Sequence, residues 1–290
     1  MIFIRLKGGL GNQMFQYAFG LKMAQQHHTQ LSIDLSSLLD RSRGDFVYRD
    51  YDLSIFEVVH QFTVSPALLR FLYKSKSSGV TKLVRQQINK GRQHIKEAHF
   101  HYQPSLIEGP DNTIYEGWFQ SYRYLEGVED RLREEFRFKM PTLPISQSLY
   151  EKMQASQSVC LNVRRTDFLK VDNLNTTNLD YFLRGARHMA NLLDNPVFFI
   201  FSDDIDWCRE HIRLDHPMHI VDHSHKGHKF GNYLQLMSNC KHYIIPNSSF
   251  AWWAIWLNSY IDKKVIAPKK WFNDSNIDTS DLVPSDWIRL

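Results

Sequence analysis

The sequence predicts an α/β protein made of two halves, each a parallel sheet flanked by helices. Three observations carry this. From about residue 146 to 267, short apolar runs alternate with segments of helical period, the signature of βαβ units. The chain opens with an apolar run, a glycine-rich turn and a helix start, IFIRLKGGLGNQ, which is how a nucleotide-binding fold begins. Between the halves, MPTLP places Pro141 and Pro144 after a charged helix and before a new pattern, a boundary signal. We therefore expect an N-terminal domain over 1–143 and a C-terminal domain over 144–290, lengths that each suffice for a core.

In the first half a strand is expected over 2–6. It runs into Gly8, Gly9 and Gly11, whose spacing is not that of the dinucleotide fingerprint. The glycines read equally as a tight turn or as room for a ligand to approach the backbone at a helix N-terminus, which favours an anion or a sugar hydroxyl. Asn12 reads as the cap of a helix reaching about 27, followed by a strand over 31–35. The stretch 38–53 has no period and many charges, among them Asp40, Arg41, Asp45, Arg49 and Asp50. It reads as a long loop, a common place for function. Short helices follow over 66–73 and 79–88. Between 70 and 96 lie eight Lys and Arg and no Asp or Glu. This is a solvated basic face, or a surface for anionic headgroups or a pyrophosphate-bearing acceptor. A strand over 113–118 ends among Glu116, Trp118, Gln120 and Tyr122, aromatic faces and hydrogen-bonding groups that suit a carbohydrate, although Trp118 equally fits a core. A charged helix over 127–136 closes the half.

In the second half helices are expected over 146–155, 179–193, 205–212, 230–240 and 250–260, with strands over 159–163, 197–201, 219–221, 242–245 and 264–267. Residues bearing chemistry follow the strands: Arg164, Arg165 and Asp167; then Ser202, Asp203 and Asp204; then Asp222 and His223; then Asn247, Ser248 and Ser249. In open α/β sheets ligands bind beyond the carboxyl ends of the strands. Taken alone, the double arginine is also an ordinary surface ion pair. Aligned with the other strand ends it suggests a diphosphate, since guanidinium matches phosphate bidentately and a helix start at Ser248 and Ser249 favours anions. No metal is needed to neutralise such a ligand, and His223, His225 and His228 lack metal-ligand spacing.

The net charge of +4 is too mild to argue for nucleic acid. Three scattered cysteines form no disulfide or metal pattern and point to a reducing cytoplasm. The apolar part of the N-terminus is too short for a signal peptide. The most apolar stretch, 243–257, is broken by Pro246 and its polar neighbours and falls short of a membrane span.

GGLGNQMFQYA at 8–18, YEGWFQSYRY at 115–124, NVRRTDF at 162–168, FSDDIDWC at 201–208 and PNSSFAWWAIWL at 246–257 together resemble the bacterial α-1,2-fucosyltransferases of glycosyltransferase family 11. The resemblance implies a GT-B-like enzyme, two Rossmann-like domains facing across a cleft. It would invert the sugar carbon, use GDP-fucose without metal or other cofactor, and act on a galactose-containing oligosaccharide of a cell-surface glycan or O-antigen precursor. The enzyme would be cytoplasmic, with peripheral contact between the basic 70–96 stretch and the inner membrane. By the same resemblance Arg164 holds the β-phosphate beside Ser248 and Ser249, and Asp167 braces the loop. Gly9, Gly11, Asn12, Arg165 and Asn247 complete the donor side, and Asp45, Trp118, Gln120 and Tyr122 the acceptor side. This chain has Asn162 where the family usually has His, and Asn232 and Tyr233 where it often has an acid. Asn162 and Asn232 are therefore the expected contacts to the donor base. A carboxylate should take the acceptor proton, with Asp172 the first choice and Glu116 the second. Three rival readings stand beside this one: a transferase using another nucleotide sugar, a non-catalytic sugar-binding relative, and an NAD(P) oxidoreductase, the last opposed by the missing fingerprint.

Overall fold

The computed structural model describes every residue except 39, 41–48 and 73–77. Asp45, expected on the acceptor side, and Lys74 and Lys76 of the basic stretch lie outside the described residues. The described chain forms two compact units, Met1–Lys139 with Asp278–Leu282, and Met140–Ile277 with Val283–Leu290. The division falls four residues before the expected boundary, and the short segment Asp278–Leu282 belongs with the first unit.

In the first unit the elements run β1 (Ile2–Arg5), α1 (Leu10–Gln26), β2 (Leu31–Asp34), β3 (Gln61–Phe62), α2 (Pro66–Leu72), α3 (Ser78–Asn89), β4 (Gln93–Lys96), α4 (Pro104–Ile107), β5 (Thr113–Glu116) and α5 (Glu129–Glu135). The strands pair in parallel in the order β3-β2-β1-β5-β4. β1 and β2 are buried throughout, as strands covered on both faces must be. The edge strands β3 and β4 carry polar, largely exposed sequences, so no apolar alternation announces them.

α1 lies close on the sheet: a Cβ on Gly20 would come within 2.7 Å of Leu31. Farther along, Phe19 stacks on Phe119 with centroids 4.0 Å apart. The helix begins at Leu10, behind Gly9 and without a side-chain cap, so Asn12 is not the N-cap. Gly8, with φ +78°, turns the chain in a conformation glycine adopts readily and starts the helix earlier. Arg5 ties three strand ends together. Its Nε donates to Asp34 at 2.6 Å and its Nη1 to Glu116 at 2.9 Å, with Nη2 on Asn89. Of the basic stretch, Arg85 pairs with Asp40 and Arg92 lies over the Phe3 ring, so both are engaged within this unit. Among the described residues no helix is long and apolar enough to cross a membrane.

The second unit runs α6 (Gln147–Ala155), β6 (Gln157–Val163), α7 (Leu179–Leu192), β7 (Pro196–Ser202), α8 (Ile205–His211), β8 (Met218–Val221), α9 (Gly231–Met237), β9 (His242–Ile244), α10 (Ser249–Leu257), β10 (Val265–Ala267) and β11 (Ile288–Arg289). Its strands are parallel, in the order β11-β10-β9-β6-β7-β8. Val159, Leu161 and Val163 of β6 face Phe182, Ala186 and Met189 of α7 in one core, the period-2 and helical stripes meeting as patterned. Tyr181 Oη donates to the carbonyl of Ile245 at 2.6 Å and fixes the chain just past β9. β11, two residues long, gave no sequence signal.

Replacing Asp34 by Ala leaves Arg5 charged and buried with only part of its partners. This should lower stability by about 3 kcal/mol, read as a lower denaturant midpoint with an unchanged slope.

Candidate active site

Both sheets reverse their strand order once. In the second unit the chain moves outward from β6 to β7 and β8, then returns to the other side of β6 with β9. Such a reversal opens a crevice at the carboxyl ends of the two strands that flank it. Here those ends carry Arg164–Asp167, after β6, and Asn247–Ser249, after β9.

The first of these segments is a braced turn. Arg164 donates from Nε and Nη2 to the two carboxylate oxygens of Asp167, at 2.8 and 2.6 Å, and its Nε lies 3.3 Å from Asp203. The guanidinium is thus aimed while Nη1 makes no hydrogen bond among the described residues. Arg165 stacks on Trp207, 3.8 Å from the ring centroid, and donates from Nε to Asp204. Asp203 accepts from the backbone N–H groups of Arg165 and Thr166, at 2.9 and 3.1 Å, and from the Thr166 hydroxyl. Asp204 also caps α8.

Across the crevice Ser248 caps α10 by accepting from the Ala251 N–H; its own hydroxyl hydrogen stays available to an acceptor. The first turn of α10, from Ser249, offers the positive end of the helix dipole to an anion. Asn247 is a clamp: its Nδ2 donates to the carbonyls of Leu174 and Trp271, while its Oδ1 is buried with no partner among the described residues.

The expected base contacts are otherwise occupied. Asn162 donates to the Phe201 carbonyl on β7. Asn232 accepts from the Leu143 N–H and donates to Ser146 and to the His225 carbonyl, so its amide holds chain segments together. Its neighbourhood contains an unpredicted feature: Lys229 and Phe230 are consecutive residues with positive φ, 50° and 60°, a conformation uncommon for non-glycine residues, and the Phe230 ring is exposed. Asp172 is exposed in the 171–176 loop, which Asn273 pins by donating to the carbonyls of Asp172 and Asn175.

In the first unit the reversal lies between β1 and β5, whose ends are Lys7–Gly9 and Gly117–Gln120. Gln13 and Gln16 of α1, both fully buried, clamp these loops. Gln13 donates to the carbonyls of Gly8 and Asp50 and accepts from the Asp52 N–H. Gln16 accepts from the Lys7 N–H and donates to the carbonyls of Lys7 and Gly117. Gln120 donates to Asn12 at 2.6 Å. Trp118 and Tyr122 are partly exposed, with the Lys7 ammonium 4.3 Å from the Trp118 ring centroid.

Glu116 is a poor proton acceptor. Burial would raise it, but the hydrogen bond and charge of Arg5, with His94 and Lys96, hold it below the usual carboxylate value. The carboxylate that differs is Glu97, just past β4, absent from the sequence reading because its strand gave no signal. It accepts from the N–H groups of Trp118 and Phe119 at 2.6 and 3.0 Å. Burial, with Asp281 adding to it, nevertheless raises Glu97 to about 7. Lys7 beside it is lowered, by burial first. Among the described residues no three His, Cys, Asp or Glu are grouped to hold a metal.

Asp203→Ala should release the 164–167 turn. Both backbone hydrogen bonds to a charged acceptor are lost, together with that of the Thr166 hydroxyl, so amide exchange at Arg165 and Thr166 should quicken by about tenfold or more, as hydrogen-exchange mass spectrometry would read.

Over residues 1–290 the chain matches the model of Glycosyl transferase family 11. It is similar to an alpha-1,2-colitosyltransferase of Escherichia coli, 28% identical over 100% of this chain and 99% of that protein. It is also similar to the O-antigen biosynthesis glycosyltransferase WbnK of Escherichia coli, 27% identical over 98% and 99%. Among solved structures, the fucosyltransferase NodZ from Bradyrhizobium shares the fold with a TM-score of 0.50 at 17% identity, covering 87% of this chain and 91% of that one. FUT1 of Arabidopsis thaliana, in complex with GDP, does so with a TM-score of 0.52 at 12% identity over 99% and 75%. Two parallel-sheet units of this kind make a GT-B-like α/β fold. With the family model spanning its whole length, the chain belongs to glycosyl transferase family 11.

Proposed function

We propose that the protein transfers L-fucose from GDP-fucose, with inversion and without metal, to a hydroxyl of a cell-surface glycan or O-antigen precursor, O2 of a galactose being the expected position. The observation that carries this is the crevice between β6 and β9, where Arg164, oriented by Asp167 and Asp203, sits at one strand end and the start of α10 at the other. As the bond from the sugar to the diphosphate breaks, negative charge grows on the leaving oxygen. Donors aligned before the reaction stabilise that charge without reorganising. Arg164 contributes its remaining N–H groups, Arg165 the field of a second cation, and Ser248 a hydroxyl hydrogen. The first unit supplies the acceptor side, where an exposed indole and amide side chains match a sugar's apolar face and hydroxyls. Family membership and the GDP-bound fold relative support a GDP-linked donor.

A second reading, transfer of colitose, is favoured by the similarity over full length to the colitosyltransferase. Incubating the protein with a galactoside and either GDP-fucose or GDP-colitose, and weighing the product, decides between them.

GDP-fucose should raise the unfolding midpoint, and further with each tenfold rise in its concentration above the dissociation constant, whereas UDP-galactose and NADH should leave it unchanged. Arg164→Ala should lower kcat by about 100-fold or more in the same transfer assay. Near-normal turnover in this variant would remove the donor site from the β6–β9 crevice.

A further inference from the structure

We propose that Glu97 is the group that receives the proton of the acceptor hydroxyl as that hydroxyl attacks the sugar donor. The proposal rests on the glycosyl-transfer reading above and names the base within it.

Position comes first. Glu97 directly follows β4 and hydrogen-bonds across β5 to the loop that begins at the strand-order reversal of the first unit. This is the carboxyl-end edge where an open sheet binds its ligand. The partly exposed Trp118 follows Gly117 on that edge, with Lys7 over its ring. Room has been made for the carboxylate: a Cβ on Gly117 would lie 2.6 Å from the Glu97 Cβ and 2.8 Å from its Oε2. Only glycine allows Glu97 to lie across the loop in this way. The two backbone donors occupy one lone-pair site on each oxygen, and a carboxylate offers about four such sites, so each oxygen can accept once more.

Surroundings come second. Lys7 past β1 and Asp281 in the returning segment act directly on Glu97. Lys96 and Glu116 act on Lys7, and Tyr124 shares the field of both carboxylates. Asp281 accepts from the Tyr102 N–H, while its Oδ1 is buried with no hydrogen-bond partner among the described residues. A bracket whose only task is to hold two amides works best as a plain solvated anion. Burial and a second carboxylate oppose that, and they place the proton affinity near 7, where a general base exchanges protons most effectively at neutral pH. The two carboxylates expected from the sequence lack this combination: Glu116 is paired with Arg5, and Asp172 is exposed to solvent.

The step balances. The acceptor oxygen bonds to the anomeric carbon; the bond from that carbon to the phosphate oxygen breaks, and its electron pair leaves with GDP. The hydroxyl proton moves to Glu97 and then to solvent.

The test is a pH profile of transfer from GDP-fucose to a galactoside for wild type, Glu97→Gln and Asp281→Asn. Wild-type kcat/KM should fall as pH drops through about 7, because the base is then protonated. Glu97→Gln should lose about 100-fold or more in kcat and lose that acidic limb, while GDP-fucose still raises its unfolding midpoint as in wild type. Asp281→Asn keeps Glu97 and both of its backbone bonds. Removing a like charge should move the limb down by about half a pH unit with little change in the plateau rate. Retention of more than a tenth of kcat in Glu97→Gln, or an unmoved limb in Asp281→Asn, overturns this proposal alone. A wild type that transfers sugar from no nucleotide donor overturns the functional reading and this proposal together.

Discussion

A carboxylate reaching across from one strand end to hold the backbone of the neighbouring loop is the interaction on which both ligand edges depend. Asp203, after β7, accepts from the N–H groups of Arg165 and Thr166 in the loop after β6. Glu97, after β4, accepts from those of Trp118 and Phe119 in the loop after β5. Loops at strand ends carry amides with no ladder partner, and an anion that takes two of them converts a floppy turn into a fixed one. The two cases differ in what stands near the anion. Asp203 has Arg164 beside it, so the bracket is also part of a cationic wall. Glu97 is opposed first by burial and then by a second carboxylate, Asp281, against which a single lysine and two backbone N–H groups act, and a group that changes protonation near neutral pH results.

The strand order explains why these loops matter. A parallel sheet that grows outward from one strand and then returns to that strand's other side leaves its two central loops pointing apart, with a gap between them. In the second unit the gap is flanked by a fixed guanidinium and a helix start, two sources of positive potential. In the first unit it is flanked by a glycine turn and an indole, clamped by the buried amides of Gln13 and Gln16. Four of the five sequence motifs of the chain coincide with these four loops, and the fifth, FSDDIDWC after β7, supplies the Asp203 that holds the loop after β6.

Regular periodicity made the second unit readable in advance. Its long helices and apolar strands were expected within a few residues of where they lie, since burial on both faces imposes the pattern locally. What the pattern lacked was the edge: β3, β4 and β11 are short, polar or both, and an edge strand is recruited by its neighbour's open hydrogen bonds rather than by its own composition. Missing β4 meant missing Glu97. Asn12 looked like a cap because its residue type suits one, yet Gly8 sets the helix start and leaves Asn12 to Gln120. Glu116 looked like a base because it ends a strand at the ligand edge, yet Arg5, distant by 111 positions, neutralises it.

By itself, then, the sequence determined the α/β class, the order of most elements, and the residue types gathered at the strand ends, because periodicity, glycine placement and arginine chemistry act over a few residues. Tertiary structure decided which carboxylate is paired and which is opposed. Glu97 meets Trp118, Phe119 and Asp281 across 21, 22 and 184 positions of chain, and no local pattern encodes such a meeting. Proton affinity is set by burial and by the charges that folding brings close, so the chemistry of an acid is written in its neighbours in space.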